Sequence, residues 1–205
     1  MIIIIDYGMG NIGSLANMLK KTGSAIKISS DIHEIESADR LILPGVGSFD
    51  HGMRKLQALH LVGILHKKVM EDHTPILGIC LGMQLFTKSS EEGSLEGLGW
   101  LDAKTIKFGL NKDQSLKIPH MGWDTIDIKK THYLFQNTNS EAMYYFVHSF
   151  HLVCDHEADI LSTSFYGYDF VSSIAKDNIT GVQFHPEKSH KYGMKIVDNF
   201  CHQDD

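Results

Sequence analysis

Ile2 to Ile5 is an unbroken run of β-branched residues, the pattern of a strand covered on both faces. The next 80 or so positions have the rhythm of parallel βαβ units. The sequence predicts a helix from about Asn11 to Lys21 and a weaker strand over Ala25–Ile28. A third strand, Leu41–Leu43, is stopped by Pro44-Gly45, and a fourth spans Ile76–Ile79. Between those two, Met53, Leu56, Leu59, Val62, Leu65 and Val69 recur at three- and four-residue spacing, which predicts an amphipathic helix. Cys80–Phe86 also reads as helical.

From about Gly97 the rhythm changes. Short β-rich runs are separated by turn residues: Lys104–Phe108, Leu116–Ile118, Trp123–Ile128, Met143–Val147, Ile160–Thr163, Phe170–Ile174 and Ile179–Phe184. They read as antiparallel additions to the parallel sheet. Ser189 is placed to cap a last helix carrying Met194, Val197 and Phe200. No repeat, low-complexity tract or linker interrupts the chain. The expectation is one α/β domain over residues 1–205, a mostly parallel central sheet flanked by helices.

A chain of 205 residues buries roughly 70% of its unfolded surface, so its core needs neither metal nor disulfide. Its 19 basic and 25 acidic residues give a net charge of −6, which argues against nonspecific nucleic-acid binding. Three cysteines form no disulfide framework and suit a reducing compartment. No apolar run approaches the ~20 residues of a membrane span. The first strand lacks the basic flank of a signal peptide, so a cytoplasmic protein is expected.

Gly8-Met9-Gly10-Asn11-Ile12-Gly13 has the form G-x-G-x-x-G between a strand and a helix, with Asp31 further on. That pattern fits a dinucleotide fingerprint. Asp6 before the first glycine would repel a pyrophosphate, which favours a plain glycine turn.

Gly78-Ile79-Cys80-Leu81-Gly82 is the cysteine counterpart of the G-x-S-x-G elbow. Flanking glycines permit a sharp strand-to-helix corner that lifts the central side chain to the carboxyl edge of the sheet. The helix start favours thiolate there, and the Leu81 N–H is free to stabilise an oxyanion. Cys154 and Cys201 lack such flanks and read as structural.

A thiol nucleophile needs a nearby histidine. His185-Pro186-Glu187 follows the predicted strand Ile179–Phe184. Residues i and i+2 of an extended chain share a side, so Glu187 is placed to orient the His185 ring, a Cys-His-Glu triad. The rival use of histidine is metal binding. His148/His151 and His185/His190 lack a cysteine or carboxylate partner at ligand spacing, so no metal site is expected. Pro44-Gly45-Val46-Gly47 follows the third strand. It is either an ordinary turn or a second oxyanion loop donating from Val46 or Gly47.

Together these segments resemble the class I glutamine amidotransferases, whose fold is flavodoxin-like. More narrowly, they resemble the glutaminase subunits of imidazole glycerol phosphate synthase. The resemblance rests on DYGMGN (6–11), LPGVGSF (43–49), GICLGMQ (78–84), SEEG (90–93), PHMGW (119–123), YFVHS (145–149) and GVQFHPEKS (181–189). It implies that Cys80 attacks the side-chain amide of L-glutamine, with His185 as acid and base and Glu187 as orienter. It implies that Gln84, Glu92, His148, Ser149 and Phe150 form the substrate pocket, and that no cofactor is needed. The implied partner is a (β/α)₈-barrel synthase receiving ammonia, docked on Asn11, Trp123, Tyr145 and Lys188.

Gly13, Asp124 and Phe150 depart from the usual histidine-pathway pattern. Related subunits supply ammonia for acetamidino sugars of surface polysaccharides, and both acceptors stay open. A cysteine peptidase on a similar scaffold would explain neither Gln84 and Glu92 nor the PGVG loop. A non-catalytic binding subunit would not need an intact triad.

Overall fold

The computed structural model describes residues 1–110, 116–139 and 141–203. The other positions of the expected 1–205 unit lie outside the described residues. Five parallel strands form the centre: β1 (Ile2–Ile5), β2 (Ile26–Ser29), β3 (Arg40–Gly45), β4 (Ile76–Cys80) and, much later, β13 (Ile179–Val182). Their order is β2-β1-β3-β4-β13, the doubly wound flavodoxin-like arrangement. Ile3, Ile4 and Ile5 are wholly buried, as a two-sided apolar run requires.

The helices are α1 (Ile12–Lys20), α2 (Ile32–Glu36), α3 (Phe49–Ala58), α4 (Leu61–His66), α5 (Leu81–Gln84) and α6 (His190–Cys201). They divide the core between the sheet faces. One side gathers Ile3, Ile5, Leu41, Met53 and Leu65, and the other Ile4, Leu19, Leu77, Val197 and Phe200. None of these helices is long and apolar enough to cross a membrane.

Beyond β13 the sheet turns antiparallel. It adds β12 (Asp169–Lys176), β10 (Phe150–Cys154) and β6 (Ala103–Lys107), and then the short β5 (Ser89–Ser90), parallel to β6. On a side branch, β11 (Ile160–Phe165) pairs with β12 and with β8 (Asp127–Ile128). β7 (His120–Thr125) and β9 (Met143–His148) stand apart as a two-stranded antiparallel ribbon.

Several expectations shift. The helix predicted over Met53–Val69 breaks at His60, which takes a left-handed φ of 57°. Its apolar spacing runs straight across the break, so periodicity gives no warning. β3 does not stop at Pro44 but continues to Gly45. β1 pairs only as far as Ile42, whereas β4 pairs with both Pro44 and Gly45. Proline therefore sits where one flank needs no N–H donor. Leu116–Ile118 forms no strand, and β10 is a strand that the sequence pattern does not announce.

Ser189 occupies the cap position of α6 without a capping hydrogen bond. Its Oγ instead donates to the His185 carbonyl and accepts from the Tyr145 N–H, at 2.7 and 2.9 Å. Residues 8–11 of the glycine segment form the turn into α1, with Gly8 and Gly10 at positive φ, and Ile12 and Gly13 are already helical. Asp31 spends its carboxylate capping α2 through the N–H groups of His33 and Glu34.

Candidate active site

Ligands of open α/β sheets sit beyond the carboxyl ends of the strands. Here β3 ends at Gly45 and β4 at Cys80, directly opposite one another in register. The chain leaving β13 reaches His185 three residues later. Cys80 has φ 53° and ψ −110°, a strained backbone for a residue with a Cβ. The flanking glycines are required by close approach. A Cβ on Gly82 would lie 1.8 Å from the Leu43 carbonyl oxygen, and one on Gly78 would lie 2.7 Å from the Met83 backbone. The helix after Cys80 is a single turn of four residues. Few peptide dipoles add up there, so the helix contribution expected from the sequence is small.

Cys80, the oxyanion candidates Val46, Gly47 and Leu81, the substrate candidates Gln84, Glu92, His148, Ser149 and Phe150, and His185 all line one cavity of about 670 Å³. Glu187 lies behind the ring. His185 Nδ1 and Glu187 Oε1 are 2.9 Å apart, with side chains only 1% and 4% exposed. Burial pulls the ring down, but the Cys80 charge and hydrogen-bonding contacts with Cys80 and Glu187 outweigh it and raise His185 to about 10. Nε2 itself has no aligned hydrogen-bond partner. Catalytic hydrogen bonds of resting enzymes are often long or poorly aligned and tighten when substrate binds. A ring protonated at neutral pH is ready to give its proton to a leaving nitrogen.

The residues before the oxyanion candidates are held by Tyr7, a role that no sequence motif singles out. Its hydroxyl donates to the Pro44 carbonyl at 2.7 Å. Burial, with the nearby Cys80 charge second, raises this phenol well above its ordinary range, so it remains a donor. Leu81 opens α5 and has no intrahelical partner for its N–H.

Gln84 commits both amide hydrogens to the protein, one to the Phe150 carbonyl and one to Gln183 Oε1, each at 3.0 Å. Only its carbonyl oxygen is left for a ligand. Glu92 accepts from the Phe49 N–H through one oxygen at 2.8 Å and keeps the other. The loop carrying it is pinned by Asp50, which accepts from the N–H groups of Ser94 and Leu95.

His148 donates from Nδ1 to the Phe150 carbonyl at 2.8 Å, and its Nε2 meets His120 Nδ1 at 3.1 Å. Burial above all, with the hydrogen bond to Phe150 opposing it, lowers His148 to about 3. An unfolded histidine titrates near 6.5. The stability tied to this group is therefore full above pH 6.5 and is lost as pH falls toward 3. His148→Gln should flatten the fall in melting temperature between pH 6.5 and 4 by about one proton, on the order of 3 kcal/mol across that window. Parallel curves for variant and wild type would assign the acid lability elsewhere.

The other cysteines differ from Cys80. Burial, then Asp159, pushes Cys154 up to about 12, and burial also raises Cys201. His151 divides its ring between the Leu152 carbonyl and the Tyr168 hydroxyl.

Of the docking candidates, three meet beside the ribbon: Trp123 on β7, Tyr145 on β9 and Lys188 in the turn after His185. Trp123 stands edge-on to Tyr145 at 5.9 Å, and the Lys188 ammonium lies 5.4 Å from the Tyr145 ring. Trp123 is 41% exposed, not a core residue, and stacks on His190. Asn11 is exposed at the head of α1 and shares no ring or hydrogen-bond contact with that cluster.

A family model described as "Glutamine amidotransferase class-I" matches residues 3–203. The chain belongs to the class I glutamine amidotransferases. A relative from Methanococcus maripaludis, named imidazole glycerol phosphate synthase subunit HisH 2, is 53% identical over 99% of this chain and 100% of its own. One of the same name from Pseudomonas aeruginosa is 46% identical over 98% of both. Among solved structures, a glutamine amidotransferase from Thermotoga maritima superposes with a TM-score of 0.65 at 16% identity. The match covers 91% of this chain and 75% of that one, a likeness of fold alone.

Proposed function

We propose that the chain, acting as one cytoplasmic glutaminase unit, hydrolyses L-glutamine to glutamate and ammonia. The observation that carries this is the buried His185–Glu187 pair beside a strained, cavity-lining Cys80. Cys80 Sγ attacks the amide carbon and the carbonyl electrons move to oxygen, where the Leu81 N–H and that of Val46 or Gly47 stabilise the charge. His185 protonates the departing nitrogen, and ammonia leaves a γ-glutamyl thioester on Cys80. Water then gives a proton to His185 and attacks the thioester, which releases glutamate. The free oxygen of Glu92 and the Gln84 carbonyl suit the α-ammonium of the substrate.

Ammonia in neutral water is mostly ammonium, which has no lone pair to attack with. It needs a closed path to its acceptor. The relatives are named as subunits of a synthase, which supports a synthase partner here. That partner is a (β/α)₈ barrel seated on Trp123, Tyr145 and Lys188, making imidazole glycerol phosphate in histidine biosynthesis. A second acceptor, an acetamido sugar of a surface polysaccharide, is favoured by Gly13, Asp124 and Phe150, which depart from the usual histidine-pathway pattern.

Acid quenching during turnover, followed by peptide mass spectrometry, should find a glutamyl adduct on Cys80. Glutamate formation should rise strongly when the barrel partner is added. Turnover without an adduct on Cys80, or full activity of the chain alone, would count against this reading.

A further inference from the structure

Gln183 is fully buried and lies two residues before His185 on the segment leaving β13. Alternate residues of an extended segment share a side, and His185 lines the same cavity as Cys80. Gln183 Nε2 is 3.5 Å from Cys80 Sγ. An amide can present either its NH₂ or its oxygen, and the two act oppositely on a thiolate. Here the choice is settled by a chain of contacts. The Phe150 carbonyl can only accept, so the Gln84 atom 3.0 Å from it is nitrogen. That same nitrogen meets Gln183 at 3.0 Å, so the Gln183 atom there is oxygen. The end of Gln183 left facing the sulfur is therefore its NH₂. The reverse arrangement would set the Gln84 oxygen against the Phe150 carbonyl, acceptor against acceptor. Phe150 is itself fixed by the donor Nδ1 of neutral His148.

We propose that Gln183 is a neutral hydrogen-bond donor to the reacting sulfur, held in that sense by Gln84, which acts as a positioning residue. This rests on Cys80 being the nucleophile. The donor favours the thiolate over the thiol, a task for which the one-turn α5 is poorly equipped. It also gives Gln84 a duty separate from glutamine binding. The contact wall formed by His148 and Phe150 thereby reaches the nucleophile through two amides.

The test is the rate of Cys80 alkylation by iodoacetamide as a function of pH, read by peptide mass spectrometry on the full chain. In Gln183→Met, alkylation near pH 6.5 should fall about tenfold, as expected for losing a hydrogen bond to a charged group. The difference should shrink as pH rises and thiols in general ionise without help, so the rates should converge at alkaline pH. Gln84→Met should move the profile in the same direction by about threefold, because Gln183 is then free to turn. Unchanged labelling of Cys154 and Cys201 reports an intact fold. If Gln183→Met fails to fold, Gln84→Met decides. Superimposable profiles, or an equal loss at every pH, would overturn the proposal. Glutamine hydrolysis that survives Cys80→Ala would instead sink the nucleophile assignment, whatever the profiles show.

Discussion

Replacing Cys80 with alanine should reduce glutamate formation by on the order of 10⁴-fold or more, the loss seen when a covalent nucleophile is removed from a triad. Oxyanion donors and substrate contacts remain, but no thioester forms. The fold and the docking candidates around β7 and β9 should be unaffected, because Cys80 is one small side chain at the end of β4. Its strained backbone adds a sharper expectation. The positive φ of 53° is costly for any residue with a Cβ, by about 1–3 kcal/mol. Cys80→Gly should therefore be as inactive as Cys80→Ala yet melt at a higher temperature. Glutaminase assay and thermal melts on the purified pair check both parts. An active alanine variant, or an alanine variant more stable than the glycine one, contradicts a strained nucleophile elbow.

Gly82→Ala should be the most disruptive single methyl group. Its Cβ would stand 1.8 Å from the Leu43 carbonyl oxygen, and neither atom is the flexible end of a side chain. Something must move, either β3 or the turn after Cys80. A Cβ on Gly45 would in turn lie 2.9 Å from the Gly82 nitrogen, so the two corners are mutually dependent. A loss of about 3 kcal/mol or more is expected, or roughly 6–12 °C in melting temperature for a chain this long. Glutaminase activity should fall with it, because the oxyanion candidates flank the same contact. Gly13→Ala and Gly63→Ala make the control. Both are helical and meet nothing within 4 Å, so they should be neutral or slightly stabilising. Similar melts for all three variants would show that the close approach carries no energy.

The parallel half of the sheet is legible in the sequence because strands buried on both faces leave an unmistakable signal. Ile2–Ile5 and Ile76–Ile79 have no polar side to confuse with a helix or a surface strand. The Cys80 elbow is legible for a related reason, since two glycines at fixed spacing around a cysteine have few other uses. The break at His60 is not legible. A left-handed histidine has no sequence marker when the apolar spacing continues on both sides. The ribbon of β7 and β9 reads as strands but not as a separate pair, because pairing depends on where the chain lies and not on local composition. Gln183 sits in plain view beside His185, yet nothing in a lone glutamine tells which end faces a sulfur. Only the Phe150 carbonyl, 33 positions away, settles that.

The β9 ribbon has a direct grip on the catalytic segment. The His185 N–H bonds the Tyr145 carbonyl at 2.9 Å, and Ser189 closes the other side of the same joint. A tyrosine on the outer surface and the imidazole of the cavity thus share one rigid hinge pin, with no loop between them to absorb play. A load on that surface should therefore reach the His185 backbone, and the rate of glutamine hydrolysis is expected to respond to what is seated outside.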